Sequence, residues 1–116
     1  MDTKTVAKAF VDACKNTNPD AGAKFWSDDV VSLEAMPGDM ARLEGRKAVH
    51  GKGEWWNANH TVHEFRVEGP YVHGHQFAVR YVFDITPKGD KRRTMEEVAL
   101  YSVANGKIVE ERFFYN

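Results

Sequence analysis

The run from Phe77 to Tyr101, FAVRYVFDITPKGDKRRTMEEVALY, constrains the fold more than any other stretch of the chain. It reads as two long β-strands joined by the polar turn Pro87-Lys88-Gly89-Asp90. Side chains alternate along a strand, so Phe77, Val79, Tyr81 and Phe83 share one face. Ala78, Arg80, Val82 and Asp84 share the other. A strand apolar on one side and part-charged on the other needs a reason, and the charged face is where chemistry is to be sought.

Flanking segments supply the remaining elements. Val6, Ala9, Phe10, Ala13 and Cys14 fall at i, i+3, i+4, i+7 and i+8, the stripe of an amphipathic helix that Asp2 or Thr3 caps. Asn18-Pro19-Asp20 opens a second, short helix running to about Trp26. Val30-Val31-Ser32-Leu33-Glu34 is β-branched and suits a strand, which Met36-Pro37-Gly38-Asp39-Met40 breaks. That loop either covers a pocket or lies plainly on the surface. A third helix is expected from Glu44 to about Asn59, with Ala48, Val49, Trp55 and Trp56 on its buried side. From His63 the pattern has period two: His63, Phe65 and Val67 form one set, Gly69-Pro70 a break, and Tyr71 to His75 a turn. After the central hairpin, Ala104-Asn105-Gly106 is a tight turn into a last strand from Lys107 to Tyr115. Helices followed by an antiparallel meander make an α+β layout.

Composition excludes several classes. At 116 residues the chain fits a single domain, 1–116, with core enough to need no staples. Seventeen acids against sixteen bases leave a net charge of −1. The only dense basic run, Lys88 to Arg93, is interrupted and turn-like, so no nucleic-acid partner is expected. No run approaches the length of a membrane span, so no membrane partner is expected either. The lone Cys14 cannot form an internal disulfide, which favours a reducing, cytoplasmic setting.

Asn105-Gly106-Lys107-Ile108-Val109, the terminal Phe113-Phe114-Tyr115-Asn116, the run Phe25 to Val30 and Glu44-Gly45 together resemble the SnoaL-like branch of the nuclear-transport-factor-2-like superfamily. The resemblance covers nearly the whole chain. It implies a cone-shaped, cystatin-like α+β fold: a curled mixed sheet wrapped over three N-terminal helices around a deep apolar pocket. It also implies homodimers formed through the outer sheet face. Its members include polyketide cyclases, ketosteroid isomerases, dehydratases, epoxide hydrolases and proteins that only bind. Matched to the isomerase pattern of an Asp base with Tyr and protonated Asp donors, the base falls on Glu34, the tyrosine on Phe10 and the protonated acid on Ala99. Neither Phe10 nor Ala99 can donate a hydrogen bond, and losing one such donor costs roughly 10²–10³ in rate. The steroid isomerase mechanism is therefore not expected here.

The same matching orients the sheet. With Ala99 inward, so are Met95, Glu97 and Tyr101, and the inward set extends to Ala78, Arg80, Val82 and Asp84, to His63, Phe65 and Val67, and to Val109, Glu111, Phe113 and Tyr115. The Phe77, Val79, Tyr81, Phe83 face then points outward to a partner subunit. Candidate catalytic residues are Glu34 and Glu97 as bases, Arg80 as their electrostatic partner, and His63 or Tyr101 as proton donor. Arg80 and Glu97 also fit a structural ion pair, and His63 and Tyr101 fit purely structural roles. Phe10, Trp26, Trp56, Phe65, Asp84, Ala99, Glu111 and Phe113 are the expected ligand-contacting residues. His60, His63, His73 and His75 lack a carboxylate at fixed spacing, so neither metal nor cofactor is expected. The expected ligand is a hydrophobic carbonyl, hydroxyl or epoxide compound, handled by acid–base chemistry or simply bound; a dimerisation module, resting on the Phe77, Val79, Tyr81 and Phe83 face alone, is the remaining alternative.

Overall fold

The structure is a computed structural model that describes residues 2–16 and 24–115. Helix α1 spans Thr3–Asn16, strand β1 Trp26–Leu33, strand β2 Arg42–Glu44, helix α2 Arg46–Asn59, and strands β3 to β6 His60–His73, Gln76–Pro87, Arg93–Ala104 and Lys107–Phe114. Six strands form one mixed, curled, unclosed sheet in the order β2-β1-β6-β5-β4-β3. Strand β1 runs parallel to β6; the other neighbours are antiparallel. This is the expected α+β architecture. The helix anticipated from Asn18 lies mostly outside the described residues, and Trp26 begins β1 rather than ending a helix. No helix among the described residues is long and apolar enough to cross a membrane.

Helix α1 lays Val6, Ala7, Phe10, Val11 and Cys14 into the sheet's concave face. Phe10 meets Tyr101 at 4.8 Å, Phe77 at 5.8 Å and Phe25 at 6.0 Å between ring centroids. The β5–β6 hairpin turns at Asn105 and Gly106 with φ of 52° and 76°, the left-handed pair that a two-residue hairpin of matching twist requires.

Strand β4 faces the opposite way to the sequence expectation. Val79 pairs with Ala99, Tyr81 with Glu97 and Phe83 with Met95, and residues directly opposite on antiparallel strands share a face. Phe77, Val79, Tyr81, Phe83 and Ile85 are accordingly buried in the core. They are not an outer dimer face. Ala78, Arg80, Val82 and Asp84 lie on the convex side instead. A one-residue change of register exchanges the two faces completely.

The turn expected at Tyr71 to His75 is shorter than anticipated. Strand β3 continues to His73, crossing Gly69-Pro70 by a register shift between Glu68 and Tyr71.

Candidate functional site

The cone encloses a cavity of about 1080 Å³. Its floor is charged. Ser32 and Glu111 are register partners on β1 and β6, both buried, and the Ser32 hydroxyl donates to Glu111 Oε2 at 2.8 Å. Glu34 follows β1 by one residue and keeps the same inward parity. Lys52 reaches this group from α2, where Val49, Lys52, Gly53 and Trp56 form one helical face. Its ammonium donates to Ser32 Oγ and to Glu34 Oε2, lies 3.6 Å from Glu111 Oε2, and sits 4.6 Å above the Phe113 ring. The Tyr115 hydroxyl donates to Glu34 Oε1 at 2.8 Å.

One carboxyl stands apart. Glu97 lines the cavity opposite Tyr81, and among the described residues it has no hydrogen-bond partner. Burial pushes its pKa up to about 7, the charge of Glu34 adds to the rise, and Lys52 opposes it. Burial likewise raises Glu111, against the pull of Lys52 and Ser32. Tyr81 and Tyr101 line the wall with hydroxyls 2.6 Å apart, and burial drives both phenols well above their ordinary range.

The upper wall is aromatic. Phe65 stacks on Phe83 at 5.0 Å and on Tyr81 at 6.1 Å, and Trp56 meets Phe83 at 5.2 Å. His60 stacks on Trp56 at 4.3 Å, and its Nδ1 donates to the Trp56 carbonyl at 2.7 Å. The Met36 to Met40 loop lines the mouth. Among the described residues, no group of three or more His, Cys, Asp and Glu side chains is arranged to hold a metal ion.

The cavity thus gathers Glu34, Glu97 and Tyr101 with Phe10, Trp26, Trp56, Phe65, Glu111 and Phe113. Four expected site residues are elsewhere. Arg80 lies on the convex face and bonds Glu68 at 3.0 Å and Glu96 at 2.8 Å, so it cannot pair with Glu97. Asp84 shares that face, where both of its oxygens accept from Arg92. His63 sits in a register shift between Val62 and Glu64, which turns it outward to Thr86 at 2.7 Å. Ala99 does face inward, but it is fully buried between Val79 and Phe113 and does not line the cavity. Lys52 is a residue that sequence reasoning missed, and Tyr81, expected on the outer face, lines the cavity as well. The signal for Lys52 was there: a charge on the same helical face as Val49 and Trp56.

The chain matches the SnoaL-like domain family over residues 1–115. It belongs to the SnoaL-like family. A protein of Mesorhizobium loti provisionally named a SnoaL-like polyketide cyclase, with carbohydrate phosphatase as a bracketed second name, is 49% identical. The alignment covers 99% of this chain and 100% of that one, with a TM-score of 0.94. A Catenulispora acidiphila protein of ketosteroid isomerase-like fold, solved with trimethylamine, is 21% identical. It matches over 98% of this chain and 87% of its own, at a TM-score of 0.76. A Xanthomonas campestris protein of cystatin-like fold is also 21% identical, over 99% and 91% of the two chains, at 0.77. These two share the fold with this SnoaL-like chain. No functionally curated protein matches it at a significant level.

Proposed function

We propose that this SnoaL-like protein is a cofactor-free acid–base enzyme acting on a hydrophobic small molecule that bears a carbonyl, hydroxyl or epoxide. Glu97 is its proton carrier. The observation that carries this reading is a cavity-lining carboxyl without a partner among the described residues, with a pKa of about 7. A group half-protonated near neutrality can both take and return a proton. Lys52 holds a fixed positive charge on the floor, the part that Arg80 was expected to play. Glu34 is tied to Lys52 and Tyr115, so it orients Lys52 rather than moving protons. The polyketide cyclase name of the Mesorhizobium loti relative suits carbonyl chemistry of this kind.

A non-catalytic binding protein is the competing reading, favoured by the mutual satisfaction of Lys52, Glu34, Ser32 and Glu111. Deuterium uptake separates the two. Lipophilic ketones such as α-tetralone, incubated in heavy water, are expected to exchange hydrogen next to the carbonyl faster than in buffer. Glu97→Gln should slow that exchange by about 10²–10⁴. Exchange that survives the substitution removes Glu97 from the role. No acceleration for any ketone tried leaves the binding protein.

The protein is further proposed to be a cytoplasmic homodimer joined through its convex sheet face. Support comes from the register partners Val98 and Phe114, 40% and 49% exposed, beside Val82 and Leu100. Interleaved Arg80, Glu96, Glu110 and Arg112 give a two-fold interface both signs of charge.

A further inference from the structure

We infer that the paired hydroxyls of Tyr81 and Tyr101 anchor one oxygen of the ligand, a carbonyl oxygen above all, on the wall beside Glu97. The inference rests on the acid–base reading and names the group its substrate must carry. Both rings are held against rotation: Tyr101 stacks on Phe77 at 4.9 Å and packs on Phe10, and Tyr81 stacks on Phe65. Their hydroxyls are therefore fixed 2.6 Å apart. Burial keeps both phenols protonated, so they meet a ligand as donors.

A proton count gives the anchor its function. Tyr81 and Tyr101 hold two protons and share one hydrogen bond. One proton is left over, and it sits at one end of the pair. Cys14 is the other weakly polar group beside Tyr81, its thiol pushed up to about 11 by burial, and sulfur is a weak acceptor. Both tyrosines line the cavity. Glu111 stands opposite Tyr101 in register, but its Oε2 is taken by Ser32 and it forms no hydrogen bond with Tyr101. A ligand carbonyl oxygen is the strong acceptor that the pair lacks. Bound there, it orders both donors toward the cavity: Tyr81 to Tyr101, Tyr101 to ligand. Glu97 is the cross-strand neighbour of Tyr81 on the same face, about 5 Å away at the backbone. An oxygen held by the pair therefore keeps the adjoining carbon within reach of the mobile proton.

The test compares α-tetralone with tetralin, which has a methylene where the ketone has its carbonyl. Quenching of tryptophan fluorescence reports binding of each to the wild-type protein, Tyr101→Phe and Tyr81→Phe/Tyr101→Phe. The ketone is expected to bind about 3- to 10-fold more tightly than the hydrocarbon, the range of one net hydrogen bond. That preference should fall in Tyr101→Phe and vanish in the double variant. Tetralin affinity should stay constant, which shows that the cavity survives the substitutions. The carbonyl stretch of bound α-tetralone should move to lower frequency in the wild type, less so in Tyr101→Phe, and not in the double variant. Equal affinity for the two compounds, binding of neither, or a preference that outlasts both substitutions overturns the anchor. Equal affinity with Glu97-dependent deuterium exchange intact overturns the anchor alone. Exchange that is indifferent to Glu97→Gln overturns the acid–base reading, whatever the affinities show.

Discussion

Glu97 concentrates the energetics of the site in one carboxyl. The folded protein holds its proton more tightly than the unfolded chain does, where an ordinary glutamate titrates near 4.5. Its contribution to stability is therefore greatest below that value and is lost as the pH rises toward about 7. The shift corresponds to about 3 kcal/mol. Glu97→Gln removes this cost, so urea unfolding should find the variant more stable than wild type by about 1–3 kcal/mol at about pH 8, and little changed at about pH 5. Lys52 presents the opposite case. Its side chain is only 14% exposed and serves two carboxylates, so Lys52→Met leaves both without a cation. A loss of about 3–5 kcal/mol near neutrality is expected from the same unfolding measurement. The Glu97 midpoint should also rise, because the opposing charge is gone.

At the scale of elements, much of the fold was legible and the facing of one strand was not. The helical stripe of α1, the β4–β5 hairpin and the Asn105-Gly106 turn were all readable, because each depends on local periodicity or backbone preference. Strand β4 was turned inside out by extending an alignment of β5 across the sheet. The local pattern carried the better answer: Phe77, Val79, Tyr81, Phe83 and Ile85 are the more apolar side, and burial of that side sets the register. His63 was lost to a bulge, which period-two counting cannot anticipate. Glu34, Glu97 and Glu111 kept the expected parity because β1, β5 and β6 are regular where these residues sit. Lys52 escaped notice because charges on helices are normally read as solvent-facing, and only its spacing from Val49 and Trp56 argues otherwise. Arg80 supplies an element-scale prediction. Arg80→Ala should leave both the unfolding midpoint and the deuterium exchange nearly unchanged, since its ion pairs with Glu68 and Glu96 are on the outer surface.

At the scale of the molecule, the curled sheet divides the labour between its faces. The concave side, closed by α1 and α2, carries the aromatic wall and the charged floor. The convex side carries Val98, Leu100 and Phe114 among balanced charges. Phe114→Glu should convert a dimer into monomers in sedimentation experiments without altering the cavity, because it points away from Glu97 and its register partner Val98 is also exposed. Fold alone does not assign chemistry; in the reading proposed above, the cavity takes its chemical character from Glu97, a carboxyl without a partner among the described residues. The most direct measurement of that claim is the pH titration of the Glu97 side-chain carboxyl by carbon NMR, assigned by its absence in Glu97→Gln. A midpoint near 7 is the predicted result. A midpoint in the ordinary glutamate range near 4.5 would show a solvated bystander and contradict the account.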